Sequence, residues 1–135
     1  MTIHLDHTIV PVRDRMESAR FLAEILGLAV KPGAGHFAQV QINDRLTFDF
    51  ADDAGVGGDP ATRAGLHYAF HVSDAEFDAV FERVNARGIP YGSGPFSHDD
   101  GEINTRRGGR GFYFREPSGH LLEVMTVPET GSEGG

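Results

Sequence analysis

Cysteine is absent from the 135 residues of this chain. Its absence excludes disulfide bonds, thiolate metal sites and cysteine nucleophiles. Any chemistry that the protein performs must therefore depend on histidine, carboxylate or hydroxyl groups.

Basic residues are few compared with acidic ones. The chain has 12 lysines and arginines against 20 aspartates and glutamates, which gives a formal net charge of −8 at pH 7. A surface of this sign does not attract the phosphate backbone of a nucleic acid. We therefore expect a small-molecule substrate or drug as the partner, and no nucleic acid.

Long apolar runs are also missing. No stretch approaches the roughly 20 apolar residues of a membrane span, and the first residues do not resemble a secretory signal. We expect a cytoplasmic protein that does not bind membranes.

The apolar content of the chain predicts its domain organisation. With 39% apolar residues, the chain can form one hydrophobic core, which predicts a single domain over residues 1–128. The polar, glycine-rich residues 129–135 are predicted to be a flexible tail.

Two helices are predicted from apolar side chains that recur at helical spacing. Residues 74–88 form one, with Ser73 and Glu76 at the spacing of a capping box. Residues 14–26 form the other. A glycine stands at the end of each helix, where a left-handed C-terminal cap is favoured.

The chain contains an internal repeat of a strand followed by a helix. Superposing the two copies aligns His7 with His67 and Phe21 with Phe81. After each helix the sequence predicts a hairpin, and Asp49 in the first hairpin then corresponds to Glu123 in the second. The predicted hairpin strands are residues 37–42, 45–50, 111–115 and 120–126.

The repeat pairs four side chains of the kind that bind metals, His7 with His67 and Asp49 with Glu123. If the two copies pack symmetrically, alternation along the strands brings all four to one face of the sheet. Nitrogen and oxygen donors of this kind suit zinc, manganese, iron(II), nickel or cobalt. We predict a divalent metal held by His7, His67 and Glu123, with Asp49 as a fourth ligand or a neighbour of the site. Glu123 and Asp49 are also the predicted catalytic groups, since a carboxylate beside a polarised carbonyl can transfer a proton.

Three further residues are candidates for substrate binding. His71 lies two positions after His67 and therefore on the same face of its strand. Arg106 and Arg110 belong to the glycine-rich residues 92–111, which are predicted to be a mobile flap. An arginine on such a flap can meet an anionic group of a substrate.

The remaining residues near the site are predicted to have structural roles. A histidine on a strand is more often a hydrogen-bonded structural residue than a ligand. His120 faces away from Glu123 by alternation, so we expect it to pack or to cap the preceding turn. Phe112 and Phe114 likewise face away from the ligand side, and core packing accounts for them.

Three stretches resemble the vicinal oxygen chelate superfamily, which includes glyoxalase I, extradiol dioxygenases, fosfomycin-resistance proteins and bleomycin-binding proteins. They are residues 5–12 (LDHTIVPV), 19–28 (ARFLAEILGL) and 113–124 (YFREPSGHLLEV). The resemblance implies an α+β fold of two βαβββ modules, about residues 3–52 and 64–127. Together these would form an open, cupped, eight-stranded mixed sheet with the helices outside, usually in a homodimer.

The same resemblance implies ligand roles for individual residues. His7 and His67 match the first-strand ligands of the two modules, and Glu123 matches the terminal carboxylate ligand. Asp49 stands where glyoxalase I has a glutamate that is one methylene longer.

Two functions from different classes follow. The first is a metal-dependent enzyme that chelates two adjacent oxygens of a small substrate. We expect a glyoxalase-like lyase or isomerase ahead of an extradiol-type dioxygenase. The second is a metal-free, antibiotic-binding protein of the bleomycin-resistance type that sequesters a drug.

Overall fold

A computed structural model describes residues 3–32, 35–53 and 65–129. The chain divides into two compact units, residues 1–64 and 65–135, close to the boundary that the sequence repeat indicates. None of the helices in the described residues combines the length and apolar character needed to cross a bilayer. The elements, in chain order, are β1 (His7–Val12), α1 (Arg15–Leu26), β2 (Ala38–Gln41), β3 (Thr47–Asp52), β4 (His67–His71), α2 (Asp74–Ala86), β5 (Tyr91–Gly92), β6 (Gly111–Arg115) and β7 (Leu121–Met125).

The first unit is a three-stranded sheet with one helix against it. The strand order is β1-β3-β2, with β1 parallel and β2 antiparallel to β3. Leu22 and Ile25 of α1 are buried together with Val10, Val40 and Phe50 of the sheet. This apolar layer lies on one face of the sheet, because successive side chains of a strand point to opposite faces.

The second unit repeats the plan with four strands. The order is β4-β7-β6-β5, and β4 is parallel to β7 while the other neighbours are antiparallel. Its core is aromatic, since the rings of Phe77, Phe81 and Tyr91 all meet the ring of Phe112 edge to face. Such pairs each contribute about 0.5–1.5 kcal/mol beyond their burial.

Both helices begin and end close to where the sequence predicts. The side chain of Asp14 accepts hydrogen bonds from the first turn of α1, and Gly27 closes the helix with φ of 74°. Ser73 and Glu76 form a reciprocal capping box on α2. Gly88 follows α2 with φ of 66°, a conformation that favours glycine.

The predicted α+β fold class is confirmed, but the prediction of eight strands in one sheet is wrong for the described residues. These contain seven strands in two sheets, of three and four strands. In the first unit the position equivalent to β5 is a single bridge between Val30 and Val40. Lys31 donates one more backbone bond to Gln39, and Pro32 then has no N–H to extend the ladder.

Residues 92–111, predicted to be a mobile flap, make hydrogen bonds at both ends. Ser93 Oγ donates to Asp100 Oδ2 over 2.6 Å. Asn104 and Gly111 exchange two backbone hydrogen bonds, which pair the end of the loop with the start of β6. The predicted flexible tail lies outside the described residues except for Glu129.

Candidate metal and substrate site

His7 is the first residue of β1 and its side chain is exposed. Its Nδ1 lies 2.8 Å from Asp6 Oδ2, so a proton on Nδ1 is donated to that carboxylate. The hydrogen bond to Asp6 raises the pKa of His7, and the charge of Asp49 acts in the same direction. The slight desolvation of the ring acts in the opposite direction and lowers the pKa by less than the Asp6 hydrogen bond raises it. Because Asp6 engages Nδ1, Nε2 is the ring nitrogen that could bind a metal.

Asp49 lies on the same face of the first sheet as His7. It is the register partner of Ile9, which is two residues from His7 on β1. The residue is only 7% exposed, and its Oδ1 accepts a hydrogen bond of 3.0 Å from Gln39 Nε2. The first unit therefore presents an imidazole and a held carboxylate on one face.

His67 and Glu123 form the corresponding pair in the second unit. His67 Nε2 lies 3.0 Å from Glu123 Oε1, and His67 Nδ1 lies 3.0 Å from the carbonyl oxygen of Leu121. Because a carbonyl oxygen only accepts hydrogen bonds, Nδ1 carries a proton. Nε2 and the carboxylate oxygen would otherwise both be acceptors, so a second proton or a cation must lie between them. Two ligands that each lie about 2.1 Å from one ion are roughly 3.0–3.4 Å apart, so this pair fits neighbouring positions around a divalent metal.

Tyr113 is a member of this site that the sequence prediction missed. Its ring stacks on His67, with centroids 5.8 Å apart, and it is the register partner of Glu123. Burial raises the pKa of the Tyr113 hydroxyl, Glu123 raises it further, and the hydrogen bond from Arg106 opposes both. The signal was in the sequence, because Phe112 faces the core and its neighbour must then face the ligand side.

Arg106, predicted to bind substrate, contacts this tyrosine. Its Nη1 donates to the Tyr113 hydroxyl over 2.5 Å, and its guanidinium carbon lies 5.4 Å from the ring centroid. Its backbone N–H donates to Asn104 Oδ1, and Nη2 donates to the carbonyl of Ser93. The loop therefore holds a positive charge next to the His67 and Glu123 pair.

Arg110, the second arginine predicted to bind substrate, is engaged by α2. Its Nη1 donates to Asp78 Oδ1 over 2.8 Å, and its Nη2 donates to Asp74 Oδ1 over 3.0 Å. The guanidinium also lies over the ring of Phe77, 4.3 Å from its centroid. Asp78 and Asp74 raise the pKa of Arg110. Through these contacts the Arg110 side chain links the loop to α2.

His71 ends β4 on the same face as His67, as the sequence predicts. The residue is exposed, and its Nε2 lies 3.2 Å from the carbonyl oxygen of Thr126. A substrate role for His71 stays a prediction.

The four predicted ligands thus occur as two pairs, one in each unit. Within the described ranges, no three histidine, aspartate or glutamate side chains lie close enough together to hold a metal ion. The meeting of His7, Asp49, His67 and Glu123 around one ion stays a prediction. Each unit thus presents one imidazole and one carboxylate. We call these two pairs, His7 with Asp49 and His67 with Glu123, the half-sites.

Comparison with known proteins identifies the family. The model of the Glyoxalase/Bleomycin resistance protein/Dioxygenase superfamily matches residues 4–124. The solved structure of "Oxidase ChaP-H1" is 45% identical with a TM-score of 0.84, covering 96% of this chain and 100% of that one. "Oxidase ChaP-H2" is 42% identical with a TM-score of 0.83, covering 98% and 99%. The "Glutathione transferase FosA" of Serratia marcescens is 27% identical over 120 residues, 89% of this chain and 78% of its own. The chain belongs to the glyoxalase/bleomycin resistance protein/dioxygenase superfamily.

Proposed function

We propose that the protein is a metal-dependent oxidase or oxygenase that binds a small substrate through two adjacent oxygen atoms. The observation that carries the proposal is the His67 and Glu123 pair, 3.0 Å apart, beside Tyr113 and Arg106. The sequence alone favoured lyase or isomerase chemistry over oxygen insertion. The similarity to two proteins named as oxidases, over nearly the whole chain, supports the opposite order.

The metal site in this proposal contains one pair from each unit. Two protein donors are fewer than the three or four that zinc sites and non-haem iron sites use. His7 and Asp49 would complete the set that His67 and Glu123 begin, either within one chain or between two copies in a homodimer. The metal, whether iron, manganese, nickel, cobalt or zinc, would supply Lewis acidity to a chelated substrate oxyanion.

Asp49 sets the charge of the proposed centre. A divalent ion with two carboxylates is formally neutral, whereas Glu123 alone leaves a charge of +1 that stabilises a substrate oxyanion. Gln39 holds one oxygen of Asp49, which keeps the carboxylate oriented whether or not it binds the ion. When it does not bind, Asp49 would be the base that accepts a proton from the substrate.

Tyr113 and Arg106 form the polar wall of the proposed substrate site. Since Arg106 donates to the Tyr113 oxygen, the hydroxyl proton of Tyr113 remains for donation to a carboxylate or to a substrate oxygen. A guanidinium and a phenol side by side favour a substrate with a negatively charged or strongly accepting oxygen. Catechols and related aromatics with hydroxyls on neighbouring carbons have the required adjacent oxygens.

The metal-free, drug-sequestering function is the alternative. It requires no imidazole and carboxylate pairs, so the two half-sites favour the enzyme. FosA is a relative named as a glutathione transferase, and a solved structure named as a fosfomycin resistance protein is 26% identical over 96% of this chain. Fosfomycin with glutathione is therefore a second substrate pair for the same test.

The test begins with protein stripped of metal by a chelator and reloaded anaerobically with iron(II), manganese(II), nickel(II) or zinc(II). We expect about one metal per chain by elemental analysis, and oxygen uptake with a panel of catechols only after reloading. His67→Ala should abolish both, and His36→Ala, at an exposed histidine with no assigned role, should leave both intact.

Three other results would each replace this function. Turnover of the hemithioacetal of methylglyoxal and glutathione would indicate a lyase, and conjugation of fosfomycin would indicate a transferase. Drug-induced rises in Tm that a chelator leaves unchanged would indicate sequestration. Size-exclusion chromatography with light scattering tests the homodimer.

A further inference from the structure

The proposed ligand His67 is the first residue of β4. Three hydrogen bonds hold this end of β4 against β7. His67 Nδ1 lies 3.0 Å from the carbonyl of Leu121. The N–H of Leu121 donates to the carbonyl of Leu66 over 2.8 Å. The N–H of Leu66 donates to Nδ1 of His120 over 3.0 Å. The last bond is unlike the others, because a side chain accepts where a parallel ladder uses a backbone carbonyl.

The backbone carbonyl that would continue this ladder is engaged elsewhere. The register pairs His67 with Leu121, so the N–H of Leu66 would face the carbonyl of Gly119. That carbonyl accepts a hydrogen bond of 2.6 Å from Arg115 Nη1. The imidazole of His120 therefore extends the pairing of β4 and β7 by one bond, at the end where His67 lies.

His120 is itself held firmly on the opposite face of the sheet. The residue is fully buried, and its ring meets the ring of Tyr68 edge to face. Its backbone N–H donates to Oε1 of Glu116, and its carbonyl accepts from the N–H of Glu116. Because Leu66 donates to Nδ1, this nitrogen carries a lone pair and the ring proton resides on Nε2.

We propose that His120 is a positioning residue for the metal ligand His67. By accepting the N–H of Leu66, its Nδ1 fixes the register at the first residue of β4. This keeps His67 Nε2 directed at Glu123. A shift of one residue would turn His67 to the other face of the sheet. The inference rests on the proposed metal site and assigns His120 a role beyond turn packing.

The test compares three substitutions at His120. The side-chain oxygen of His120→Asn lies near the position of Nδ1 and can accept the same bond. His120→Gln carries its acceptor one bond farther, near the position of Nε2, and His120→Leu has none. We expect the Kd for cobalt(II), measured by chelator competition, to rise at least about 10-fold in the Leu and Gln variants. In the Asn variant it should stay within about threefold of the wild type.

A matched variant separates positioning from general loss of stability. Leu122→Ala removes a buried side chain of β7 two residues after His120 and should lower Tm without weakening cobalt(II) binding by more than about threefold. Amide hydrogen exchange in the metal-free protein provides a second measurement. Exchange at Leu66 should accelerate in His120→Leu and remain slow in His120→Asn.

Two outcomes would overturn the inference, and they differ from the failure of the proposed function. If wild-type protein binds cobalt(II) and His120→Leu binds it equally well, the proposed metal site is supported and the proposed role of His120 is wrong. If Leu122→Ala weakens binding as much as His120→Leu, the effect is one of stability alone. If the wild type binds no metal, the proposed function fails first, and the role of His120 as a positioning residue fails with it.

Discussion

The phenol ring of Tyr113 lies nearly parallel to the imidazole of His67, with 5.8 Å between centroids and 19° between planes. Tyr113 is also opposite Glu123 in the register of β6 and β7. One tyrosine thus packs on one proposed ligand and lies beside the other. Its hydroxyl reaches Arg106, which connects the pair to the long loop.

Tyr113→Phe should separate packing from hydrogen bonding in this cluster. The phenylalanine ring keeps the stack on His67, so metal content should be unchanged. The loss of a hydrogen bond to a charged group, worth about 1.5–3 kcal/mol, should reduce kcat/KM roughly 10- to 100-fold. Steady-state kinetics on the metal-loaded protein measures this. Unchanged kcat/KM would show that the hydroxyl does not contact the substrate.

Glu123→Gln should weaken metal binding strongly while preserving shape. The amide keeps the size of the carboxylate but lacks the charge that attracts a divalent ion, so we expect a rise in Kd of about 100-fold or more. Competition with a chromophoric chelator measures the change. The matched control is Glu82→Gln on the exposed side of α2, and an equal loss in both variants would contradict a ligand role for Glu123.

Asp6→Asn should lower the pKa of His7. The hydrogen bond to Asp6 is the main cause that raises this pKa, because it favours the protonated ring. A raised folded-state pKa means that the pair stabilises the fold below the ordinary pKa of histidine. That contribution is lost as the pH rises through the folded-state value.

Titration of the metal-free protein by NMR measures the His7 pKa directly. The substitution should move the value down towards the ordinary one near 6.5. Asp44→Asn, in an exposed turn, should leave it in place. A His7 pKa that does not change in Asp6→Asn would show that the two side chains are not paired in solution.

Arg110→Ala should affect stability more than substrate binding. The guanidinium joins Asp74 and Asp78 and covers the ring of Phe77, so its loss should lower Tm by a few degrees. Because these contacts occupy the side chain, KM should change by less than about twofold. Thermal unfolding and steady-state kinetics test both parts, and a large rise in KM at constant Tm would support the predicted substrate role instead.

Local sequence signals predicted the elements well. Helix α2 was predicted from its apolar stripe, and its start from the spacing of Ser73 and Glu76, because capping uses groups only three residues apart. The alternation of side chains along the strand likewise predicted that Glu123 faces the side of the sheet opposite the core. The eighth strand was expected from the resemblance to the superfamily, and the proline after Lys31 was the local signal against it.

The sequence by itself determined the candidate ligand types, their internal repeat and the order of strands and helices, since these depend on residue type and on periods of 2 and 3.6 residues. The fold class followed from the resemblance of three stretches to a known superfamily. Only the tertiary structure decided which side chains meet. It joined Arg110 to α2, set Tyr113 on His67, and gave His120 the N–H of Leu66. These contacts span from 36 to 54 residues of chain, and no local pattern specifies them, because they follow from strand register and from the packing of one layer on another.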